Sequence, residues 1–473
     1  MNASRRAPAL AIIAVLLIGG GLLDRRSRSA SRTAAVPSAP IAAAAKAASS
    51  AWYCTGATAS KDGGADGTVI LANASQRSLQ GTLTVFPYQA VPKTVPIQVA
   101  PASSQGVHLS DVAGAAYASA VVELDGGEVV VELAVTGPLG DTVAPCASTA
   151  SAQWYYADGV TTKDASETLF LFNPFPDDAV VDLVFGTEDG FVTPQALTGL
   201  AVQGGTTAVI PVGDFVQRRE QVTATITTRA GRLVVDRLQT FDGTAGRKGI
   251  ALTLGAASTG TLWCLPDGLV TDGVTERYQV FNPTKKEARV EVALALEQGQ
   301  AEPFILTVPA EGRVTVNAND EARIPKGVSH AATVRSLNGV GVVVERSVDA
   351  AIADKRNGVA RTLAAQVTAR RWVLAAGESD DTVEELVVVQ NPGAAPARVS
   401  LSILGDTTQV ANPAFTNLEV AAGGRRSIRL NDTVKLVGTP VLVTSDQPVV
   451  VERVLNRLKG LGMSMSIGIP LRD

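Results

Sequence analysis

Four strings of the sequence place an acidic residue inside an otherwise apolar run: Glu132, Asp236, Glu345 and Glu452. The last three are each followed by an arginine, Arg237, Arg346 and Arg453. Neighbouring side chains of a strand point to opposite faces, so an acid and the arginine after it cannot simply pair with each other. One of them must lie on an apolar face, where an unpaired charge costs several kcal/mol. The pattern therefore calls for a partner on an adjacent strand or in an adjacent repeat, as a structural ion pair. A ligand-binding carboxylate is the other chemistry open to it. Short acidic loops carry Asp62 and Asp66, Asp158 and Asp164, Asp267 and Asp272, then Glu378, Asp380 and Asp381. Such oxygen-rich loops suit calcium, yet none has the ligand spacing of an EF-hand, and Gly63, Gly159 and Gly268 fit turns better. His108 and His330 stand at different places in the chain's repeat, and no positioned nucleophile or phosphate-cradling glycine motif accompanies them. No catalytic residue, cofactor or metal is expected, with a hydrolase built on a carboxylate pair as the remaining catalytic alternative.

The acids stand in register with other residues, and the register is fourfold. Trp52, Trp154, Trp263 and Trp372 are spaced by 102, 109 and 109 residues, and the acids follow them by 80, 82, 82 and 80. An asparagine closes an apolar strand at Asn73, Asn173, Asn282 and Asn391, offset from the Trp by 21, 19, 19 and 19. Proline follows it in the last three repeats, and Asp111, Asp214, Asp320 and Asp432 come about sixty residues after each Trp. The first repeat departs from the pattern, with Ala74 for Pro and Leu133 for Arg.

Runs such as 168–172, 180–185, 222–227 and 233–238 are short, β-branched and bounded by Gly, Pro or Asp, which is the signature of strands. About seven strands in ~105 residues, with turn signals every 8–12, predict an antiparallel sandwich. Eight propeller blades at two per repeat would also fit the length, but no similarity links the halves of a repeat. The expectation is an all-β chain of four tandem immunoglobulin-like sandwiches over 51–150, 151–259, 260–369 and 370–473. A Trp at a fixed place in such a unit plugs a core or a domain junction, the functional alternative being a platform for a sugar ring. The Asn-Pro pair ends a strand and starts a turn, and the four aspartates read as turn caps. Cys54–Cys146 would join the first and last strands of repeat one, a ~100-residue loop whose closure contributes roughly 4–5 kcal/mol. Cys146–Cys264 is the rival pairing; the first choice leaves Cys264 free or intermolecular.

The whole chain of 473 residues carries 41 Lys and Arg against 45 Asp and Glu, and this balance argues against nucleic acid as a partner. Charged residues at 18% and hydrophobic ones at 46% exclude a disordered chain or a coiled coil. Arg5 and Arg6 precede an apolar run over 7–23 that Asp24, Arg25 and Arg26 end, which reads as a signal or anchor helix over 1–26. A helix of that run spans roughly 25 Å against a ~30 Å hydrocarbon core, and flanking arginines can snorkel across the difference. Charged residues occupy the place of a cleavage site, so an uncleaved anchor in the cytoplasmic membrane, with the body outside, is preferred to cleavage and secretion. The Ala-, Ser- and Pro-rich stretch 27–50 reads as a flexible spacer.

The WYC and WYY openings, the LFNP, VFNP and VQNP strings and the VVVER closings together resemble a family of secreted actinobacterial proteins of unknown function. The resemblance spans roughly residues 50–473. It implies an anchored or secreted protein, hints at a link to envelope glycosyltransferases and carries over no catalytic residue. The expected function is a non-catalytic cell-envelope scaffold or binding module with an envelope protein or glycan as partner, possible assistance to envelope-glycan assembly included. A carbohydrate-binding protein recognising wall polysaccharide is the alternative.

Overall fold

The computed structural model describes residues 39–352, 355–405, 413–438 and 440–472. The helix expected over 1–26, with its membrane contact through 7–23, lies outside these residues. Among the described residues no helix is long and apolar enough to cross a membrane.

Strands dominate, and in each repeat they divide between two layers of antiparallel pairing. In the second repeat one sheet runs in the order Thr206–Pro211, Ala165–Asn173, Val234–Asp242, Lys248–Leu254. It holds the asparagine and the acid–arginine pair, and is called the acidic sheet below. The other, the tryptophan sheet, runs Gly190–Val192, Ala179–Thr187, Val222–Ala230, Gln153–Tyr156. The third repeat has the same plan, with Gly312–Asn317, Val274–Asn282, Val343–Ile352 and Arg356–Leu363 forming its acidic sheet. In the first repeat a parallel pairing of Thr58 with Asp66 joins the layers. In the fourth the 17-residue strand Val441–Arg457 runs through both. Ala179–Thr187 alternates buried and half-buried positions, as a strand with one face on a core must. Lys248–Leu254 is buried at every position after Lys248, so something covers both of its faces.

What covers the second face is the neighbouring repeats. Gly140–Pro145 lies beside Lys248–Leu254, which lies beside Arg356–Leu363, which lies beside Met463–Ile467, which returns to Gly140–Pro145. The four repeats therefore close around a common axis in a propeller-like all-β ring, and this corrects the expectation of four tandem immunoglobulin-like sandwiches. The physical reason is that a lone repeat would leave the second apolar face of its innermost strand in water. The cores accordingly cross the seams. Phe170, Leu238, Ile250 and Leu252 of the second repeat belong to the core of the first, and Met463 and Met465 pack with Val348 and Ala360. The axis is filled down to a cavity of about 40 Å³, whose lining includes Leu252, Met465 and, from the chain's entry, Pro40.

Gly140, Gly249 and Gly358 hold equivalent places on their innermost strands, and Gly462 holds the same place just before Met463–Ile467. Gly358 has φ +150°, and a Cβ there would fall 3.1 Å from the Met463 backbone nitrogen. The spacer drawn over 27–50 also ends earlier than expected. Ala42 is fully buried, its N–H donates to the Pro470 carbonyl at 3.0 Å, and the Glu128 N–H donates to the Ala43 carbonyl at 2.9 Å. This segment ties the first repeat to the last.

Candidate functional site

The acid–arginine pairs meet at the seams between repeats. Arg237 Nη2 lies 2.7 Å from Glu345 Oε2, Arg346 pairs with Glu452, and Arg453 Nη2 lies 2.7 Å from Glu132 Oε2. All six side chains are buried. Each acid also accepts a backbone N–H from the loop after the tryptophan of the neighbouring repeat: Ala157 to Glu345 at 2.8 Å, Asp267 to Glu452 at 2.9 Å, Ala376 to Glu132 at 2.6 Å. Arg237 and Arg346 donate their other arm to the carbonyls of Asp158 and Asp267. Burial pushes the Glu345 and Glu452 carboxyls up, while the facing guanidiniums pull them back. Burial acts to lower the guanidinium pKa values too, but the carboxylates more than offset it and hold Arg237 and Arg346 charged. The pairs are held by charge-assisted hydrogen bonds between buried side chains, and none of the six lines a described cavity.

The fourth seam, between repeats one and two, lacks the cation. Leu133 stands where the arginine would be, and Asp236 is 2% exposed with its Oδ1 unpaired within the described residues. Burial pushes its carboxyl well above the ordinary value, with only a hydrogen bond from the Thr55 backbone opposing. Repeat one is reinforced differently, by a Cys54–Cys146 disulfide that links its first and last strands. The backbone passes so close to repeat two at Gly56, φ +94°, that a Cβ would fall 2.6 Å from Leu252 Cδ1. Cys264 is a buried free thiol that burial pushes up to about 12.

The tryptophans are buried, at 1%, 2%, 0% and 1% exposure for Trp52, Trp154, Trp263 and Trp372, which removes the sugar-platform alternative for them. Trp154, Trp263 and Trp372 each donate through Nε1 at 3.0 Å, to the carbonyls of Leu233, Val342 and Val449. These carbonyls precede the acids by a few residues, so the indole locks the tryptophan sheet to the acidic sheet. The asparagines are buried as well, and each does more than start a turn. Asn282 Oδ1 accepts from Thr284 N at 3.0 Å, while Nδ2 donates to Lys286 O at 2.7 Å and Pro309 O at 2.9 Å. Asn73, Asn173 and Asn391 repeat this arrangement at Arg77, Asp177 and Ala395. Asp111 sits in the short helix Leu109–Val112, and Asp214, Asp320 and Asp432 end the 3-10 turns Val212–Asp214, Ala318–Asp320 and Leu430–Asp432. They lie inside single helical turns rather than capping them.

The acidic loops divide: Asp158, Asp164 and Asp267 are buried, while Asp62, Asp272 and Asp381 are exposed. Asp158 is paired with Arg361 at 3.0 Å and Asp267 with Arg425 at 2.9 Å. Burial would raise both carboxyls, but the surrounding arginines hold them below the usual range. Among the described residues no group of three or more His, Cys, Asp or Glu is placed to hold a metal ion. His108 bonds Thr68 Oγ1 at 2.9 Å on the surface. His330 is fully buried, 2.8 Å from the Tyr278 hydroxyl, which in turn donates to Glu276 at 2.9 Å. A further acid recurs six residues before the asparagine, at Glu167, Glu276 and Glu385, with Gly67 in its place in repeat one. That spacing was readable and is missing from the markers above. All three glutamates are buried, and burial pushes Glu167 to about 8.

No curated protein matches the chain. Among solved structures, that of Thermotoga maritima 1070 aligns with 23% of this chain and 94% of its own, at 16% identity and TM-score 0.20. The Anabaena sensory rhodopsin transducer aligns with 18% of this chain and 94% of its own, at 27% identity and TM-score 0.17. A tetra-tandem repeat from the extending region of a large adhesion protein covers 85% of this chain and 94% of its own, at 13% identity and TM-score 0.12. All three scores are low, and the functional reading rests on none of them. Residues 134–335, which include the complete second repeat, match the model of a family of unknown function, DUF5719.

Proposed function

We propose that the protein is a non-catalytic scaffold or binding module of the cell envelope, anchored in the membrane through residues 7–23 or released by cleavage, with an envelope protein or glycan as its partner. The observation that carries this reading is where the recurring charges go. Arg237, Arg346 and Arg453 are all spent on acids of the neighbouring repeat, so the motif that recurs is consumed in building the ring. Among the described residues, the cluster of His330, Tyr278 and Glu276 has a catalytic look, but it is fully enclosed and lines none of the described cavities. The Cys54–Cys146 disulfide supports an oxidising compartment. A reporter enzyme that works only outside the cytoplasm, fused to the C-terminus of the full chain, is expected to be active; an inactive but stable fusion overturns the reading.

A further inference from the structure

Three cavities adjoin one another along the seam between the second and third repeats. The inner one, of about 260 Å³, shares Glu220, Arg247 and Arg277 with an open one of about 720 Å³. It shares Gln221 and Arg313 with a third of about 320 Å³, whose rim carries Phe191, 53% exposed. They make one polar cleft of a size that suits a small ligand.

Four arginines line the inner cavity, and three are matched by acids. Arg247 lies 3.1 Å from both Asp164 and Glu220, Arg277 lies 3.1 Å from Asp349, and Arg361 lies 3.0 Å from Asp158. Arg313 is different. Its side chain is 8% exposed, its Nη1 donates to the Ala157 carbonyl at 2.9 Å, and its closest carboxylate, Asp158, is 3.9 Å away. Its Nε, like that of Arg361, is buried with no hydrogen-bond partner among the described residues. The fourth repeat shows what the same position looks like when it serves structure alone. There Arg425 donates to Pro266 O at 3.0 Å, Asp267 Oδ1 at 2.9 Å and Ser427 Oγ at 2.8 Å. Arg313 is the equivalent arginine with donors unspent. Two further buried atoms on the same cavity lack partners, the Gln279 amide oxygen and the Thr315 hydroxyl. The Arg313, Gln279 and Thr315 side chains thus line one space, with an exposed aromatic ring at the mouth of the cleft.

We propose that this cleft binds an acidic oligosaccharide. The sugar carboxylate pairs with the Arg313 guanidinium, sugar hydroxyls meet the polar side chains of Gln279 and Thr315, and a ring face packs on Phe191. Sugar hydroxyls both donate and accept, which is what an amide oxygen beside a hydroxyl requires. The carboxylate supplies the planar acceptor that a buried guanidinium lacks. Flat apolar ring faces suit an aromatic side chain with one open face. The inference rests on the binding-module reading above and names the ligand class.

Titration calorimetry of the full chain with hexagalacturonate, cellohexaose and inorganic phosphate tests it. Hexagalacturonate is expected to bind, cellohexaose to bind about tenfold more weakly for want of the charged contact, and phosphate not to bind. Arg313→Gln is expected to weaken hexagalacturonate by about tenfold. Phe191→Ala, at an exposed position that spares the fold, is expected to weaken both saccharides. Melting curves show whether Arg313→Gln still folds, and Phe191→Ala decides the matter if it does not. Absence of saccharide binding, or binding that neither variant changes, overturns the proposal. Equal binding of cellohexaose overturns the carboxylate contact, and Arg313-dependent phosphate binding without saccharide binding makes the cleft an oxyanion site instead. None of these outcomes affects the reporter test, so an active fusion beside a failed titration would leave the envelope scaffold standing without this ligand.

Discussion

Asp236 is the residue at which the fourfold pattern is incomplete. Its carboxyl is raised well above its ordinary value of 3.8 because burial disfavours the charge and no arginine answers it. Below that ordinary value it is neutral in folded and unfolded chain alike. As pH rises, the unfolded chain releases the proton first, so folding stability falls from about the ordinary value up through the folded one. Glu167, raised from 4.5 to about 8, acts in the same direction between those values. Asp236→Asn keeps the shape and an acceptor for the Thr55 N–H while removing the titration. The variant is expected to gain at least about 1 kcal/mol over the parent at pH 8 and to converge on it near pH 4. Denaturant unfolding across that range checks this, and parallel profiles would show that Asp236 does not carry the penalty.

At the scale of the elements, each asparagine fastens the end of its own strand to the end of another. Asn391 Nδ2 donates to Ala395 O at 2.8 Å, within its turn, and to Ala421 O at 3.1 Å, just past Leu418–Val420. Its Oδ1 accepts from Gly393 N at 3.0 Å. The link therefore runs between the acidic sheet and the strand that extends the tryptophan sheet. Asn391→Ala leaves those backbone groups unpaired in a buried place and is expected to cost about 2–3 kcal/mol in urea unfolding. A cost below about 0.5 kcal/mol, the range of ordinary surface changes, would reduce the asparagine to a turn former. The Asn-Pro string revealed the turn because the turn is local. The second bond, to a carbonyl 30 residues on, left no local trace.

At the scale of the molecule, the Arg453–Glu132 pair spans 321 residues and helps close the ring. It is supported by Ser464 Oγ, which accepts from the Val143 N–H at 2.9 Å, by Arg371 on Glu128, and by Arg457 on Asp141. Arg453→Met strands a buried Glu132 and is expected to cost about 3–5 kcal/mol, the range for a buried charge left alone. Adding Glu132→Leu is expected to restore most of that loss, since it removes the stranded charge and leaves two apolar side chains facing each other. Full stability of the single variant in thermal and denaturant unfolding would mean that the closing seam does not depend on the pair. Because the cores cross the seams, one cooperative transition is also the form such curves should take.

The sequence alone determined the repeats, their strands and the residues that recur. Tryptophan, asparagine and acid kept their spacing because each has a fixed place within one unit, and spacing within a unit is written along the chain. It also determined that Glu345 and Arg346 needed partners elsewhere, because charge burial is costly whatever the fold. The tertiary structure decided which partners they found. Strand periodicity says that a face is covered but not what covers it, so the run from Gly249 to Leu254, buried throughout, suits a sandwich interior as well as a ring. Only closure of the first repeat on the last turned four units into one body. Closure likewise made Leu133 and Asp236 an exception at one seam and left Arg313 with donors to spare at another. These are properties of surfaces that meet across a hundred residues or more, where no local pattern reaches.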